Sequence, residues 1–162
     1  MRILFGMLKI FFAFAACVIF LNACAVPTAV PPTAAVSLLT YRNDEAGFQI
    51  QYPSTWKLTN LPDQNNGMLK GVSIQGSEGG IDLQWGVGFG GACPDGYSKI
   101  KVAQGELNTC YAKNSDGTEM WSQIYKQLPD TSFGARAWTN NAAPSSHDLV
   151  LQVVSTLTFD VW

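Results

Sequence analysis

Few side chains in this sequence are spaced for chemistry. Gly86-Val-Gly-Phe-Gly-Gly91 spells the G-x-G-x-x-G pattern that cradles a pyrophosphate. That pattern works where a strand feeds a helix N-terminus, whereas Pro94, Asp95 and Gly96 follow here and open no helix. No cofactor is expected. Ser146, His147 and Asp148 carry the groups of a hydrolase triad, but neighbours along a chain do not converge from separate elements, and no G-x-S-x-G elbow is present. His147 therefore reads as an exposed residue in the first turn of a helix. Asn114, Asp116 and Glu119 offer oxygens for calcium, although a solvated turn is the preferred reading. Acidic residues are scattered singly apart from Asp44-Glu45, with no pair set for acid/base work. The expectation is a protein without catalytic or metal-ligating residues, not an enzyme.

One stretch does invite a ligand. Ile81, Leu83, Trp85, Val87 and Phe89 alternate with Asp82, Gln84, Gly86 and Gly88, so one face of this strand is apolar and the other polar or bare. Glycines in a strand mark close approach of a backbone, an aromatic ring or a ligand. Asp82, Gln84, Gly86 and Gly88 are thus a candidate close-approach or ligand face. Of the five tryptophans, Trp56 and Trp85 fall on apolar faces and read as core, while Trp121 and Trp138 are candidates for exposed stacking platforms.

The chain that must position these groups has 162 residues, enough for one domain with a real core. It is 47% apolar and only 14% charged, which argues against a disordered polymer. A formal charge of −2 gives no basic stripe, so nucleic acid is not an expected partner. One His and four Cys leave few ligands for a transition metal.

From Tyr41 the pattern is that of strands. Phe48, Ile50 and Tyr52 alternate up to Pro53; Trp56 and Leu58 continue after a turn; residues 60–69 are loop-like; Val72 and Ile74 form a short strand. Ile100 and Val102 lead through Gln104-Gly105 to Leu107–Tyr111, a hairpin. Asp116-Gly117 is a turn signal. Glu119–Leu128 reads as strand, although Met120, Trp121, Ile124, Tyr125 and Leu128 also fit a helix. Residues 132–139 put Phe133, Ala135 and Ala137 on one face of a further strand. Ser145 and Asp148 have capping-box spacing ahead of a helix over 146–157, with Leu149, Val150, Val153, Val154 and Leu157 as its apolar stripe. Phe159 to Trp162 reads as a short extended end. No internal repeat is present.

The amino-terminal part is an address. Arg2 and Lys9 precede Ile10–Leu21, a run without charge, as in an export signal. That run covers only about 18 Å of helix, short of a ~30 Å hydrocarbon core. A retained membrane helix starting at Ile3 is the alternative. Leu21-Asn22-Ala23-Cys24 resembles the bacterial lipoprotein box, with a small residue before a thiol that takes a diacylglyceryl group and then palmitate-type acylation. The resemblance implies a signal peptide over 1–23, lipid attachment at Cys24 and stable anchoring by two or more acyl chains; the alternative is an ordinary leader with an incidental Cys. Residues 24–40 then form a tether rich in proline (Pro27, Pro31, Pro32), able to hold a domain about 40 Å from the bilayer. Cys17 would be discarded and Cys24 acylated. Cys93 and Cys110 remain, and an oxidising compartment favours a disulfide between them over two free buried thiols.

The domain, residues 41–162, resembles a family at both ends. Gly47-Phe-Gln-Ile-Gln-Tyr-Pro-Ser-Thr-Trp56 is similar to the opening of PsbP-like domains, and Val153-Val-Ser-Thr-Leu-Thr-Phe159 to their closing helix and Ser-Thr-Phe end. The resemblance implies an α+β fold: an antiparallel twisted β-sheet covered by a C-terminal helix, a PsbP-like α/β/α sandwich. No helix is legible between residues 60 and 100, so a reduced form with one covering helix is also acceptable. Such domains share no catalytic residues. The expected function is a lipid-anchored extracytoplasmic binding or accessory module whose partners are the membrane, through its lipid, and an unidentified envelope protein. A carrier or sensor of a small apolar or sugar ligand is the alternative, and an envelope hydrolase the remote one.

Overall fold

The computed structural model describes residues 37–87 and 91–161. The expected signal peptide, the expected lipid-attachment residue Cys24 and the proline-rich stretch up to residue 36, and also Gly88, Phe89, Gly90 and Trp162, lie outside the described residues. The element order is β1 (Leu38–Asn43), β2 (Phe48–Pro53), β3 (Lys57–Asn60), β4 (Leu69–Gln75), β5 (Gly79–Gly86), β6 (Ser98–Val102), β7 (Gly105–Lys113), β8 (Glu119–Gln127), β9 (Ser132–Thr139), α1 (Pro144–Ser155) and β10 (Thr158–Phe159). Strand accounts for 53% of the described residues and every pairing is antiparallel, so the fold is α+β. Seven strands form one sheet in the order β3-β4-β5-β9-β8-β7-β6, and β1-β2-β10 form a small second sheet. Among the described residues no helix is long and apolar enough to cross a membrane.

Alternation explains the layers. Phe48, Ile50 and Tyr52 of β2 are buried while Gln49 and Gln51 are not, and Ile81, Leu83 and Trp85 of β5 are buried against the same core. From α1, Val150, Val153 and Val154 join them, followed by Leu157. The small sheet and α1 thus share the inner face of the large sheet. At the centre Phe133 meets Phe48 at 4.9 Å and Phe159 at 5.0 Å, both edge to face. Thr156 locks the helix end to β2: the Gln51 N–H donates to its hydroxyl at 2.8 Å, and that hydroxyl donates to the Val153 carbonyl at 2.7 Å. Gln104 does the same for β10, exchanging two 2.7 Å hydrogen bonds with the Phe159 backbone from the β6–β7 turn.

Three local readings change, the first, third and fourth below, while the second, strand from Glu119, holds. First, β5 stops at Gly86, and Val87 is exposed rather than core. Gly86 has φ +130°, where L side chains rarely sit, and a Cβ there would lie 1.9 Å from the Met68 carbonyl oxygen. Second, Glu119–Gln127 is strand, and its helix-like spacing comes from a bulge. Gln123 has φ 55°, the register shifts between Trp121 and Ile124, and both of those side chains consequently face the core. Third, Ser145 and Asp148 form no capping box. The helix begins at Pro144, whose ring supplies the φ of a first helical residue and removes a donor that would otherwise lack a partner. The Asn141 side-chain oxygen instead accepts from the Ala143 N–H at 3.0 Å and the Ser146 hydroxyl at 2.8 Å. Fourth, β1 begins at Leu38 and so draws its first residues from the stretch read as tether.

Candidate functional site

The helix and the small sheet cover one face of the large sheet, and the site lies on the other. Antiparallel register puts Asp82 of β5 opposite Arg136 of β9, and Gln84 opposite Gly134. Arg136 Nη2 donates to Asp82 Oδ2 at 2.7 Å; Asp82 is 14% exposed and Arg136 56%. The guanidinium also lies 5.5 Å from the Trp138 ring centroid, and that ring in turn packs on Gly80, where a Cβ would lie 2.6 Å from its Cζ2. Arg136 is therefore held from two sides while keeping unused N–H donors.

A groove of about 470 Å³ runs along this row. Leu61, Gln64 and Leu69 form one wall and Gln123 with Tyr125 the other, over a floor of Asp82, Gln84, Gly134 and Arg136. Two loops shape it. The loop over 61–68 is closed on itself by the Gln64–Leu69 bridge. The described part of the β5–β6 crossover, from Gly91 onward, reaches this outer face, where Gly91 packs on the Gln123 side chain. A Cys93–Cys110 disulfide with a Cα–Cα distance of 5.2 Å fastens that crossover to β7. The groove offers a guanidinium, three amides, a phenol and a carboxylate, all able to hydrogen-bond a polar ligand. Among the described lining residues, the hydrogen bonds of the Tyr125 hydroxyl go to Gln127 and Ser132 and the Asp82 carboxylate accepts from Arg136.

The sequence-derived face is distributed as follows. Asp82 and Gln84 share the groove. Gly86 stands at the end of β5 beside the Met68 carbonyl and lines a different cavity, and Gly88 lies outside the described residues. Trp121 is buried in the core, and Trp138 is half-buried under Arg136 and bonded through Nε1 to Asn140. The Asn114–Thr118 oxygens serve their own turn: Asp116 Oδ1 accepts from the Thr118 N–H at 2.9 Å and lowers its own pKa by doing so, chiefly through the Thr118 hydroxyl.

A second polar cluster was not legible in sequence. Glu119, buried at the start of β8, takes a hydrogen bond from the Tyr111 hydroxyl at 2.6 Å, and its other oxygen meets His147 Nδ1 at 2.5 Å. His147 is thus a half-buried link between α1 and the sheet, packed on Trp121 at 5.5 Å, rather than a free first-turn residue. The Tyr111 hydrogen bond, followed by His147 and Lys113, holds the Glu119 carboxyl below its ordinary range against the upward push of burial. The same carboxylate raises the Tyr111 phenol. A carboxyl depressed in the folded state stabilises above its unfolded pKa, and that stability is lost as pH falls through the folded pKa. Glu119→Gln is therefore expected to melt at lower temperature than the parent at neutral pH. The gap should close on acidification through the carboxylate range, as followed by thermal melts across pH.

Comparisons with protein families, curated proteins and solved structures find no match to this chain. The fold and the groove therefore stand on the residues themselves.

Proposed function

We propose that this chain is a lipid-anchored, extracytoplasmic binding module of PsbP-like type, that the outer-face groove is its binding surface, and that it performs no catalysis of its own. The observation that carries this reading is the groove around Asp82, Gln84 and Arg136: a concave polar surface on a rigid antiparallel sheet, without a nucleophile–base arrangement. The disulfide fits an oxidising compartment. The lipobox-like Leu21–Cys24 and the proline tether supply the anchor. The PsbP-like assignment rests on the Gly47–Trp56 and Val153–Phe159 motifs, which fall on β2 and on the end of α1 with β10.

A photo-crosslinking residue in place of Gln84 tests the role in native membranes. The expected result is one reproducible protein adduct whose yield falls about tenfold with Arg136→Ala, the scale of losing a central arginine anchor. Equal adduct formation from a probe at Ser155, on the helix side, would contradict the assignment. A small polar ligand is the second reading, favoured by a cavity volume in the usual range of roughly 300–1,000 Å³ for such sites. It predicts shifts of the Gln84 and Gln123 side-chain amide signals with sugars and no protein adduct.

A further inference from the structure

The large sheet has a free edge at β6, the last strand in its order. The β6–β7 hairpin fixes which of that strand's backbone groups are used. Val102 pairs with Gly105 across a two-residue turn, so Val102 and Ile100 exchange hydrogen bonds with β7. The N–H and C=O groups of Lys99 and Lys101, like the Ala103 N–H, then point away from the sheet. Ala103 follows this alternation: its N–H donates to the Leu157 carbonyl at 3.1 Å, where the chain leaves α1. Next along the edge, the Lys99 and Lys101 backbone groups have no partner among the described residues. An edge in this state is a template for one more strand.

That edge borders an open cleft of about 530 Å³ between β6 and α1. Val102, 1% exposed, and the half-buried Leu151 give the cleft an apolar floor. Asp148, Gln152 and Ser155 share a helical stripe with Leu151 and form the far wall. A strand laid along β6 turns alternate side chains to the two faces of the sheet. Those on the α1 side meet the apolar floor, where Asp148 would repel an acid. Those on the other side lie beside Lys99 and Lys101, both exposed. Lys99 Nζ donates to the neutral Asn108 oxygen at 2.6 Å, and Lys101 stands opposite Glu106 in register without an ion pair to it. The outer side of the edge therefore favours acidic residues in an added strand. A second copy of β6 would set its own lysines against these, like charges side by side, which opposes pairing.

We propose that β6 and α1 form a docking site for an extended segment of a partner protein, added to the sheet as a further strand, with apolar residues toward the cleft and acidic residues toward Lys99 and Lys101. The Lys99 and Lys101 backbone groups bond its main chain, and the cleft and the two lysines select its side chains. This surface is separate from the groove at Arg136, and neither depends on the other.

The test uses the ¹⁵N-labelled full chain in detergent micelles and the capped hexapeptide Glu-Val-Glu-Val-Glu-Val. The expected result is a saturable shift of the Lys99 and Lys101 amide signals and about tenfold slower hydrogen exchange at both, while the Gln84 side-chain amide stays still. Lys101→Glu puts a like charge beside the acids and should weaken binding about tenfold. Lys101→Pro removes the edge donor at a position where an edge strand tolerates proline, and should abolish binding. Amide signals unmoved up to millimolar peptide would overturn the proposal. So would equal binding of Lys-Val-Lys-Val-Lys-Val, or undiminished affinity in Lys101→Pro. Shifts of the two amides with protein concentration alone would place a second copy on this edge and overturn it as well.

Discussion

Phe133→Ala is expected to lower the stability of the domain by about 3–5 kcal/mol, the usual cost of emptying a phenylalanine site in a packed core. Phe133 is fully buried on β9, where it meets Phe48 of the small sheet and Phe159 of β10. It is the point at which the two sheets close on each other, so the cavity left by Ala cannot be filled by one neighbour moving. In a domain of this size the loss corresponds to a fall in Tm of about 10–20 °C. Calorimetry of the oxidised protein measures it. Phe133→Leu, which keeps most of the volume, should recover more than half. A loss below about 1 kcal/mol for Ala would mean that the sheets do not depend on this contact.

Removing the disulfide is the second severe change. Cys93 and Cys110 are 17 residues apart, and closing a loop of that length contributes about 3 kcal/mol on the chain-entropy view. Cys93→Ser with Cys110→Ser, or reduction of the native protein, should therefore lower the urea midpoint by that equivalent with little change in slope. Neither cysteine is fully buried, so reductant has access to the bond. The functional consequence is local. The bond fastens the β5–β6 crossover to β7, and the crossover rests through Gly91 on Gln123 at the groove rim. Adduct formation from position 84 should then weaken on reduction even below the melting temperature. Unchanged stability in the double variant would mean that the crossover is held by its other contacts, among them the 3.0 Å hydrogen bond from the Tyr97 hydroxyl to the Gly91 carbonyl.

What could be read in advance follows from the range of each interaction. β2 and the first part of β5 were legible because burial there alternates strictly with sequence, and a period of two needs no partner to be seen. β8 reads correctly as strand but against a competing helix pattern, because one extra residue in the bulge puts Trp121 and Ile124 on the same face and imitates a helix. Leu38 and Leu39 of β1 are largely exposed, so the first strand shows no apolar face and merged with the tether. The helix start is set by Pro144 and Asn141, and the Ser145–Asp148 spacing was a coincidence of sequence.

The candidate site was half legible for a similar reason. Asp82 and Gln84 were visible as the polar side of one strand. Arg136, their partner, becomes visible only once β5 and β9 are paired in register, 54 residues apart in sequence. Glu119 and His147 are 28 residues apart, one on a strand and one on a helix, and no local pattern connects them. A tryptophan on an apolar face reads as core, and Trp85 is core.

The most direct measurement of the proposed role is mass spectrometry of the amino-terminal peptide from the native membrane fraction. A tethered extracytoplasmic module predicts a first residue at Cys24, heavier by a diacylglyceryl group and one further acyl chain where the amine is also modified, with residues 1–23 absent. An intact peptide starting at Met1 with an unmodified Cys24, recovered from the soluble cytoplasmic fraction, would contradict it.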